Sequence, residues 1–332
     1  MEENKSSLTL VGSNSLVRAE NSIAIANKLL LERNNRDRLE AEYHYHLGIK
    51  RKPWETLTAI EDFTNAIKLD PTNSLYYSER GLYKRFVSDL EGSIIDYEKA
   101  ITIKPTSGLY VTVGDLRASN DEYEKAVIEY TRAATITPEA AEVYYKRGMA
   151  RTNLKYYEEA IDDYTKAIEC QKANCPSNED AWGAYYQRGV IKLHKHDYKG
   201  AIEDFNKSFD LSSKFYIPVD ETELALNDLG LAMYYIQDYA GAIESFTGAI
   251  WHGERYGAKY NYRTEPNSVL PENSSVKTDF TQNVFPLPYK SLANSYYNRG
   301  IVKRLLKDDE GSESDFSRAN WIQSLAKTSS TP

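Results

Sequence analysis

The chain repeats one short phrase four times, as "LYYSERGLYK", "VYYKRGMAR", "AYYQRGVIK" and "SYYNRGIVK". With three further copies of its glycine outside this phrase, the repeated glycines are Gly48, Gly81, Gly114, Gly148, Gly189, Gly230 and Gly300. Two tyrosines, an arginine and a second base close together could form a site for a phosphate or a carboxylate. A ligand-binding site seldom occurs four times in one chain, so the repeated phrase predicts a packing unit.

Each glycine is followed at fixed distances by a small residue, a ring and a second small residue. The first small residue stands 11 or 12 positions later, at Ala59, Ser93, Ala126, Ala160, Ala201, Ala242 and Ser312. The ring comes four positions on, at Phe63, Tyr97, Tyr130, Tyr164, Phe205, Phe246 and Phe316. The second small residue comes three further, at Ala66, Ala100, Ala133, Ala167, Ser208, Ala249 and Ala319. Spacings of four and three lie on one face of a helix, so these columns predict two helices in close contact.

Proline closes the early units at Pro71, Pro105 and Pro138, where it stops the second helix. The unit of helix, turn, helix and stop resembles the tetratricopeptide repeat, whose pattern of about 34 residues has an aromatic, glycine, alanine, a second aromatic, alanine and proline. Seven units fit, from Tyr43 to Ala326. The resemblance implies an all-α solenoid of seven helical hairpins in a right-handed superhelix, and a function in protein or peptide binding.

The distances between successive glycines predict the domain organisation. They are 33, 33, 34, 41, 41 and 70 residues. An excess of seven residues is close to two helical turns, which predicts longer helices around 168–172 and 209–215 with loops near Pro176 and Pro218. The distance of 70 leaves an irregular insert rich in Pro, Asn and Ser. The expected segments are a disordered N-terminus (1–14), a capping helix (15–37), units one to six (38–250), the insert (251–290), unit seven with a C-terminal cap that includes Trp321 and Ile322 (291–327), and a tail (328–332).

Two charged columns predict ion pairs inside the hairpins. The residue before the glycine is an arginine in four units, and in each of them the second helix has an aspartate before its ring. Units one and three fit imperfectly, because Asp62 and Glu129 stand before the ring without an arginine before the glycine. The four predicted pairs are Arg80 with Asp96, Arg147 with Asp163, Arg188 with Asp204 and Arg299 with Asp315. A partly buried arginine requires such a partner. Three residues after the glycine stands a second base in six units, and the alternative is that both columns form a basic ladder for an acidic or phosphorylated ligand.

A third pair of columns predicts a binding groove. The resemblance places the first helices on the concave face, and two positions one turn apart there are largely apolar or aromatic. The candidate groove residues are Tyr45, Leu82, Val111, Tyr145, Met149, Tyr186, Val190, Asn227, Leu231, Tyr297 and Ile301. The alternative is that packing between repeats, or the insert, covers this stripe. Members of the family that hold a chaperone's C-terminal carboxylate use Lys and Asn at such positions, so a chaperone tail does not fit here.

Composition and motifs exclude several other classes. A net charge of −8 argues against nucleic acid as a partner, and no stretch approaches the roughly 20 apolar residues that span a membrane. No signal peptide, nucleotide-binding glycine loop or nucleophile elbow is seen, so a cytoplasmic protein without catalytic activity or cofactor is expected. Cys170 and Cys175 are expected to be free thiols, and the paired histidines are two residues apart, which does not suit a metal site on one helix.

The function predicted from these patterns is that of a scaffold or adaptor that binds a protein or peptide partner. A different hypothesis is a regulatory sensor, in which residues 254–288 close the groove as a lid or occupy it as an internal pseudo-ligand. Phe285, with Tyr289 beside that segment, would then contact the groove.

Overall fold

The computed structural model describes residues 3–174, 179–215, 219–256 and 290–328. These residues form fourteen α-helices and one short 3₁₀ turn, and no strand occurs among them. The helices divide between two compact units, Met1–Ile136 and Thr137–Pro332. The all-α prediction is confirmed, and consecutive helices pair as hairpins in both units.

The first unit contains three hairpins. Its helices are α1 (Glu3–Lys50), α2 (Thr56–Leu69), α3 (Ser74–Phe86), α4 (Leu90–Ile103), α5 (Ser107–Ser119) and α6 (Tyr123–Ile136), with the 3₁₀ turn Pro53–Glu55 before α2. The second unit contains four hairpins. Its helices are α7 (Ala141–Asn153), α8 (Tyr157–Asn174), α9 (Glu179–His194), α10 (Tyr198–Phe215), α11 (Val219–Tyr235), α12 (Tyr239–Tyr256), α13 (Lys290–Leu305) and α14 (Asp309–Thr328).

The repeated glycine allows the two helices of a hairpin to touch. A Cβ atom at Gly230 would lie 2.6 Å from the ring of Phe246, and one at Gly114 would lie 2.6 Å from the ring of Tyr130. Both distances are shorter than side-chain packing permits. The ring of the second helix therefore lies directly on the backbone of the first, which is the helix contact that the spacing predicts.

Each described turn between the helices of hairpins two to seven contains one residue in the left-handed conformation. These residues are Ser88, Asp121, Lys155, His196, Gln237 and Lys307, with φ between 59° and 66°. In four of the turns the next residue is an aspartate whose carboxylate accepts a hydrogen bond from a backbone N–H at the start of the second helix. These caps join Asp89 to Gly92, Asp197 to Gly200, Asp238 to Gly241 and Asp308 to Gly311, each at 3.0 Å. The left-handed residue reverses the chain, and the aspartate satisfies an N–H that the helix leaves free.

The N-terminal helix differs from the prediction. The sequence predicts disorder for residues 1–14 and a separate capping helix over 15–37, whereas α1 is continuous from Glu3 to Lys50. No proline interrupts the chain before Pro53, so nothing stops the helix earlier. Ile25, Leu29 and Leu30 are each more than half exposed. The described part of the predicted cap therefore buries little apolar surface.

The structure describes the helices of the longer repeats, but it describes only the two ends of the predicted insert. Helices α8 and α10 have 18 residues each, against 14 in α4 and α6, and they contain the predicted extensions. The loops predicted near Pro176 and Pro218 lie outside the described residues. Helix α12 continues to Tyr256 and α13 begins at Lys290, so both ends of the predicted insert are helical. Residues 257–289, with the proposed lid, lie outside the described part of the chain, as do residues 329–332 of the predicted tail.

The end of the second unit is closed by α14. Ile322 is buried and packs with Ile250, Ala293 and Ala319, whereas Trp321 is half exposed. Of the two residues expected to cover this end, Ile322 is buried in this cluster, and Trp321 is not part of it.

Candidate functional site

The four arginine–aspartate pairs that the sequence predicts are present. Arg80 binds Asp96 through Nε and Nη2 at 2.8 and 2.6 Å, and Arg188 binds Asp204 in the same way at 2.9 and 2.7 Å. The other two pairs join Arg147 to Asp163 and Arg299 to Asp315, with shortest distances of 2.6 and 2.7 Å. All four aspartates are buried. Two parallel hydrogen bonds to a carboxylate fit the planar guanidinium, so each pair fixes the two helices of one hairpin.

The second basic column binds the same aspartates. Lys84 lies 2.9 Å from Asp96, and Arg151 lies 2.7 Å from Asp163. Lys192 and Lys303 make the equivalent contacts to Asp204 and Asp315, at 2.8 and 3.0 Å. Each buried carboxylate thus faces two cations. The alternative of a basic ladder for an acidic ligand is wrong for these residues, because their charges are used inside the hairpin.

A tyrosine and a threonine complete the surroundings of these arginines. The guanidinium groups lie 5.4 to 5.9 Å from the rings of tyrosines one turn earlier, which are Tyr77, Tyr144, Tyr185 and Tyr296. Arg188 also donates to Thr165 Oγ1 in the preceding hairpin at 2.9 Å, and Arg80 and Arg299 make the same bond to Thr64 and Thr247. Burial lowers the pKa of Arg188, but the hydrogen bond to Asp204 and the charges of Asp204 and Tyr185 together outweigh this effect, so the pKa is raised overall. Sequence reasoning missed the threonine, although it directly follows the ring in the unit before each of these arginines.

Hairpins one and three use different partners. Asp62 accepts from Arg51 Nε at 2.7 Å, so the second basic column alone serves the first hairpin. In the third hairpin Arg117 bonds to Glu98 and Glu122. Glu129 there contacts Arg132 on its own helix. Hairpin one lacks the arginine of the predicted pair, and hairpin three lacks both the arginine and the aspartate. Neither hairpin therefore contains the predicted pair.

The candidate groove residues of the first unit lie on first helices and are half-buried. The ring of Tyr45 lies 6.1 Å from Phe63 and 5.3 Å from Tyr76, so one side of it packs on the hairpin core. Leu82 and Val111 are also half-buried. Burial raises the pKa of the Tyr45 hydroxyl, and the charge of Glu79 raises it further.

In the second unit three tyrosines repeat this arrangement. Tyr145, Tyr186 and Tyr297 are half-buried, with ring centres 5.9, 6.0 and 5.3 Å from the core rings of their own hairpins. Met149 is 40% exposed, and Val190 is half-buried. These side chains keep part of their surface outside the core.

Three candidate groove residues are buried, and for them the prediction is wrong. Asn227, Leu231 and Ile301 are 0, 1 and 6% exposed. Leu231 and Ile301 belong to a core cluster, and Asn227 Oδ1 accepts hydrogen bonds from Ser295 and Asn298 at 3.2 and 3.1 Å. The first helices α11 and α13 contact each other directly, so side chains between them are covered.

A buried carboxylate lies next to this contact. Asp228 on α11 accepts a hydrogen bond from the hydroxyl of Tyr186 on α9 at 3.0 Å. Burial raises the pKa of Asp228 to about 7, although the bond from Tyr186 opposes the shift. Tyr186 therefore joins two neighbouring first helices through its polar tip while its ring contacts Phe205.

Further chemistry is sparse in the described residues. They contain no cluster of His, Cys, Asp and Glu with the arrangement of a metal site. Cys170 is a buried free thiol, and burial raises its pKa, whereas Cys175 lies outside the described residues. None of the described helices combines the length and the apolar character that crossing a membrane requires.

The hairpins, their shared glycine contact and their repeated ion pairs define a helical-repeat protein of the all-α solenoid class. Residues 141–174 and 183–215 each match a family model described as tetratricopeptide repeat. The chain therefore contains tetratricopeptide repeats, as the spacing of its glycines and rings predicts.

Similar proteins support the fold. The chain is 28% identical over 119 residues to a DnaJ homolog subfamily C member 7 homolog of Dictyostelium discoideum, which is 34% of this chain and 22% of that protein's length. The C-terminal part of a tetratricopeptide-repeat-containing protein from Cytophaga hutchinsonii is 14% identical with a TM-score of 0.60, over 88% of this chain and 98% of that one. BtubC from P. vanneervenii is 16% identical with a TM-score of 0.53, over 68% and 98%.

Proposed function

We propose that this protein is a binding scaffold without catalytic activity, and that its first helices hold an extended or helical segment of a protein partner. The observation that carries the proposal is the set of half-buried tyrosines Tyr145, Tyr186 and Tyr297 on three first helices of the second unit, α7, α9 and α13. Tyrosine is an effective anchor because it offers a large contact surface with only two rotatable angles. Each ring is already packed on one side, so little freedom remains to be lost on binding.

The recurrent charges of the repeat are used inside the hairpins and not for a charged ligand, which agrees with a binding surface made of aromatic side chains. The arginines and aspartates that recur in the repeat bind each other within hairpins, and we assign them to stability. Tetratricopeptide repeats bind protein or peptide partners, and this chain has two segments that match the family. The net charge of −8 favours a protein partner over nucleic acid. The apolar and aromatic stripe does not suit a chaperone's terminal carboxylate.

The experiment uses the purified full chain and a phage-displayed library of random dodecapeptides. Selected peptides are synthesised, and their affinity is measured for the parent chain and for a variant with Tyr145→Ala and Tyr297→Ala. Tyr186 is left unchanged, because its hydroxyl also bonds Asp228 inside the fold. Tyr156→Ala is the control, since Tyr156 is 52% exposed at a turn, away from the first-helix stripe.

We expect the double variant to bind about a hundredfold more weakly, since two anchor residues that cost about 1.4 kcal/mol each weaken binding together by that factor. The control should bind like the parent chain. Circular dichroism verifies that the variants are folded. Unchanged affinity in the folded double variant, or the absence of any selected peptide, would contradict the proposal.

A further inference from the structure

The first helix of the first unit, α1, carries a regular stripe of exposed side chains. Every residue from 25 to 36 is exposed. Alternating steps of four and three residues lead along one side of the helix from Ile25 to Tyr43. The α1 stripe that they define consists of Ile25, Leu29, Glu32, Arg36, Leu39 and Tyr43. Its four apolar or aromatic members are 60 to 68% exposed.

The α1 stripe lies on the side of the helix opposite to the hairpin contact. Ala41 is fully buried, and a Cβ atom at Gly48 would lie 2.7 Å from the ring of Phe63, so these two residues mark the side that packs on α2. Leu39 and Tyr43 each stand two residues from Ala41 and therefore point roughly 160° away from it on a helix. Folding of the first hairpin thus leaves the stripe open.

The period of the stripe indicates what could cover it. Steps of four and three average 3.5 residues, which is the period of a helix face that packs along a second helix. The stripe spans residues 25–43, or about 27 Å of helix at 1.5 Å per residue. Apolar side chains that stay exposed along such a length mark an interaction surface, and a helix in a protein gains most of its stability from packing of this kind.

The apolar positions of the stripe match one another when the helix is reversed. Two copies of α1 can be placed antiparallel with a two-fold axis at Asn34. Leu29 of one copy then faces Leu39 of the other. Ile25 likewise faces Tyr43 of the second copy. All four apolar or aromatic members of the stripe therefore find an apolar or aromatic partner in a second copy of the same helix.

The charged positions match in the same register and specify the orientation. Glu32 of one copy faces Arg36 of the other, and the two-fold axis repeats this pair. An in-register parallel pair would instead place Glu32 beside Glu32 and Arg36 beside Arg36. Opposite charges in the seam favour the antiparallel pair, and like charges oppose the parallel one.

The flanks of the stripe are compatible with this arrangement. Lys28 and Glu42 are exposed on one flank, and the antiparallel pair brings Lys28 near Glu42 of the second copy. On the other flank Arg33 approaches its own counterpart near the axis. Its charge is met by Asp37 on the same helix, at 3.7 Å. The second helix can therefore approach on either flank without an unmatched charge.

We propose that two copies of this chain associate through the α1 stripe as an antiparallel pair of helices. The interface is isologous, because each copy contributes the same residues to it. The proposal does not depend on peptide binding. Together with that function, it gives one assembly two peptide-binding faces, which would strengthen binding to a partner with two recognition segments.

Sedimentation equilibrium of the full chain over a series of concentrations tests the interface. The parent chain should sediment with twice the mass of one chain. Leu29→Glu should raise the dissociation constant at least about a hundredfold, because the two-fold axis places the change in both layers of the seam that contain Leu29. Leu31→Glu is the matched control, since Leu31 is also 60% exposed but lies off the stripe, and this variant should remain a dimer. Circular dichroism verifies that the variants are folded.

Charge exchange tests the central pair. Glu32→Arg and Arg36→Glu should each be monomeric alone, because like charges then meet in the seam. A mixture of the two variants should form a heterodimer, since every charge has its opposite again. A chain that carries both substitutions should form a homodimer. Restoration of the dimer in the mixture separates a direct charge pair from damage to the helix.

Cysteine cross-linking tests the orientation after Cys170→Ala and Cys175→Ala remove the native thiols. A mixture of Leu29→Cys and Leu39→Cys chains should form a disulfide between copies. Leu29→Cys alone should not, because the antiparallel pair holds its two thiols about 15 Å apart. Cross-linking of Leu29→Cys alone would overturn the proposal. So would a parent chain that is monomeric at every concentration, or a dimer that Leu29→Glu leaves intact.

Discussion

Arg299 holds Asp315 through two hydrogen bonds, from Nε at 2.9 Å and from Nη2 at 2.7 Å, and Lys303 contacts the same carboxylate at 3.0 Å. Both bases belong to the phrase "SYYNRGIVK", which suggested a possible anion site. The structure gives the phrase an internal role instead. The same arginine–aspartate geometry occurs in four hairpins, and in each it holds the second helix against the first.

The first prediction concerns these pairs. Asp163→Asn should lower the free energy of unfolding by about 3 kcal/mol, because removing one partner leaves buried cations uncompensated. Arg147 and Arg151 both lose their carboxylate in this variant. Urea denaturation followed by circular dichroism measures the change. The adjacent Asp162→Asn is the matched control, since Asp162 is exposed, and an equal effect of the two substitutions would refute the assignment.

The second prediction concerns the bond between hairpins. Thr165→Val should cost about 1 kcal/mol, because Arg188 Nη1 loses the hydroxyl that it contacts at 2.9 Å. Thr102→Val is the control, since the Thr102 hydroxyl bonds only a carbonyl of its own helix, as Thr165 also does. Comparison of the two melting temperatures isolates the link to arginine. Equal losses would mean that the link adds no stability.

The third prediction concerns the glycine contact. Gly230→Ala should destabilise the chain by about 1 to 3 kcal/mol, because its Cβ would lie 2.6 Å from the Phe246 ring and would force the helices apart. Gly108→Ala on α5 should be neutral or stabilising, because nothing lies within 4 Å of its Cβ position and alanine favours a helix. Thermal unfolding of both variants provides the test. A tolerated Gly230→Ala would show that the hairpin is not closely packed there.

The fourth prediction concerns pH. The pKa of Asp228 rises from 3.8 to about 7 on folding, so the folded chain holds a proton that the unfolded chain releases between these values. This group therefore makes stability fall as pH increases from about 4 to about 7. Asp228→Asn cannot titrate, and its stability relative to the parent chain should increase between pH 5 and pH 8. Denaturation midpoints at both pH values check this, and a constant difference between the two proteins would contradict it.

Much of the fold could be predicted because the residues that form each contact recur at the same positions in several units. The Gly230 and Phe246 columns predict a helix contact, and the co-occurrence of Arg188 with Asp204 predicts an ion pair. The sequence does not predict the hydrogen bond from Arg299 to Thr247, since these residues are 52 positions apart and lie in different hairpins. The position of Leu231 on its helix was predictable, but its burial depends on how closely α13 approaches α11. Such distances between neighbouring repeats are not contained in the periodicity of one helix, and the handedness of the superhelix remains a prediction.

The peptide-binding face is tested most directly by hydrogen–deuterium exchange of the full chain with and without a selected dodecapeptide. Protection in the first helices α7, α9 and α13, with α8, α10 and α14 unchanged, is the predicted result. Loss of that protection in the variant with Tyr145→Ala and Tyr297→Ala should accompany weaker binding. Protection confined to the second helices, or to the exposed segment 25–36 of α1, would contradict the assignment of the first helices as the binding face.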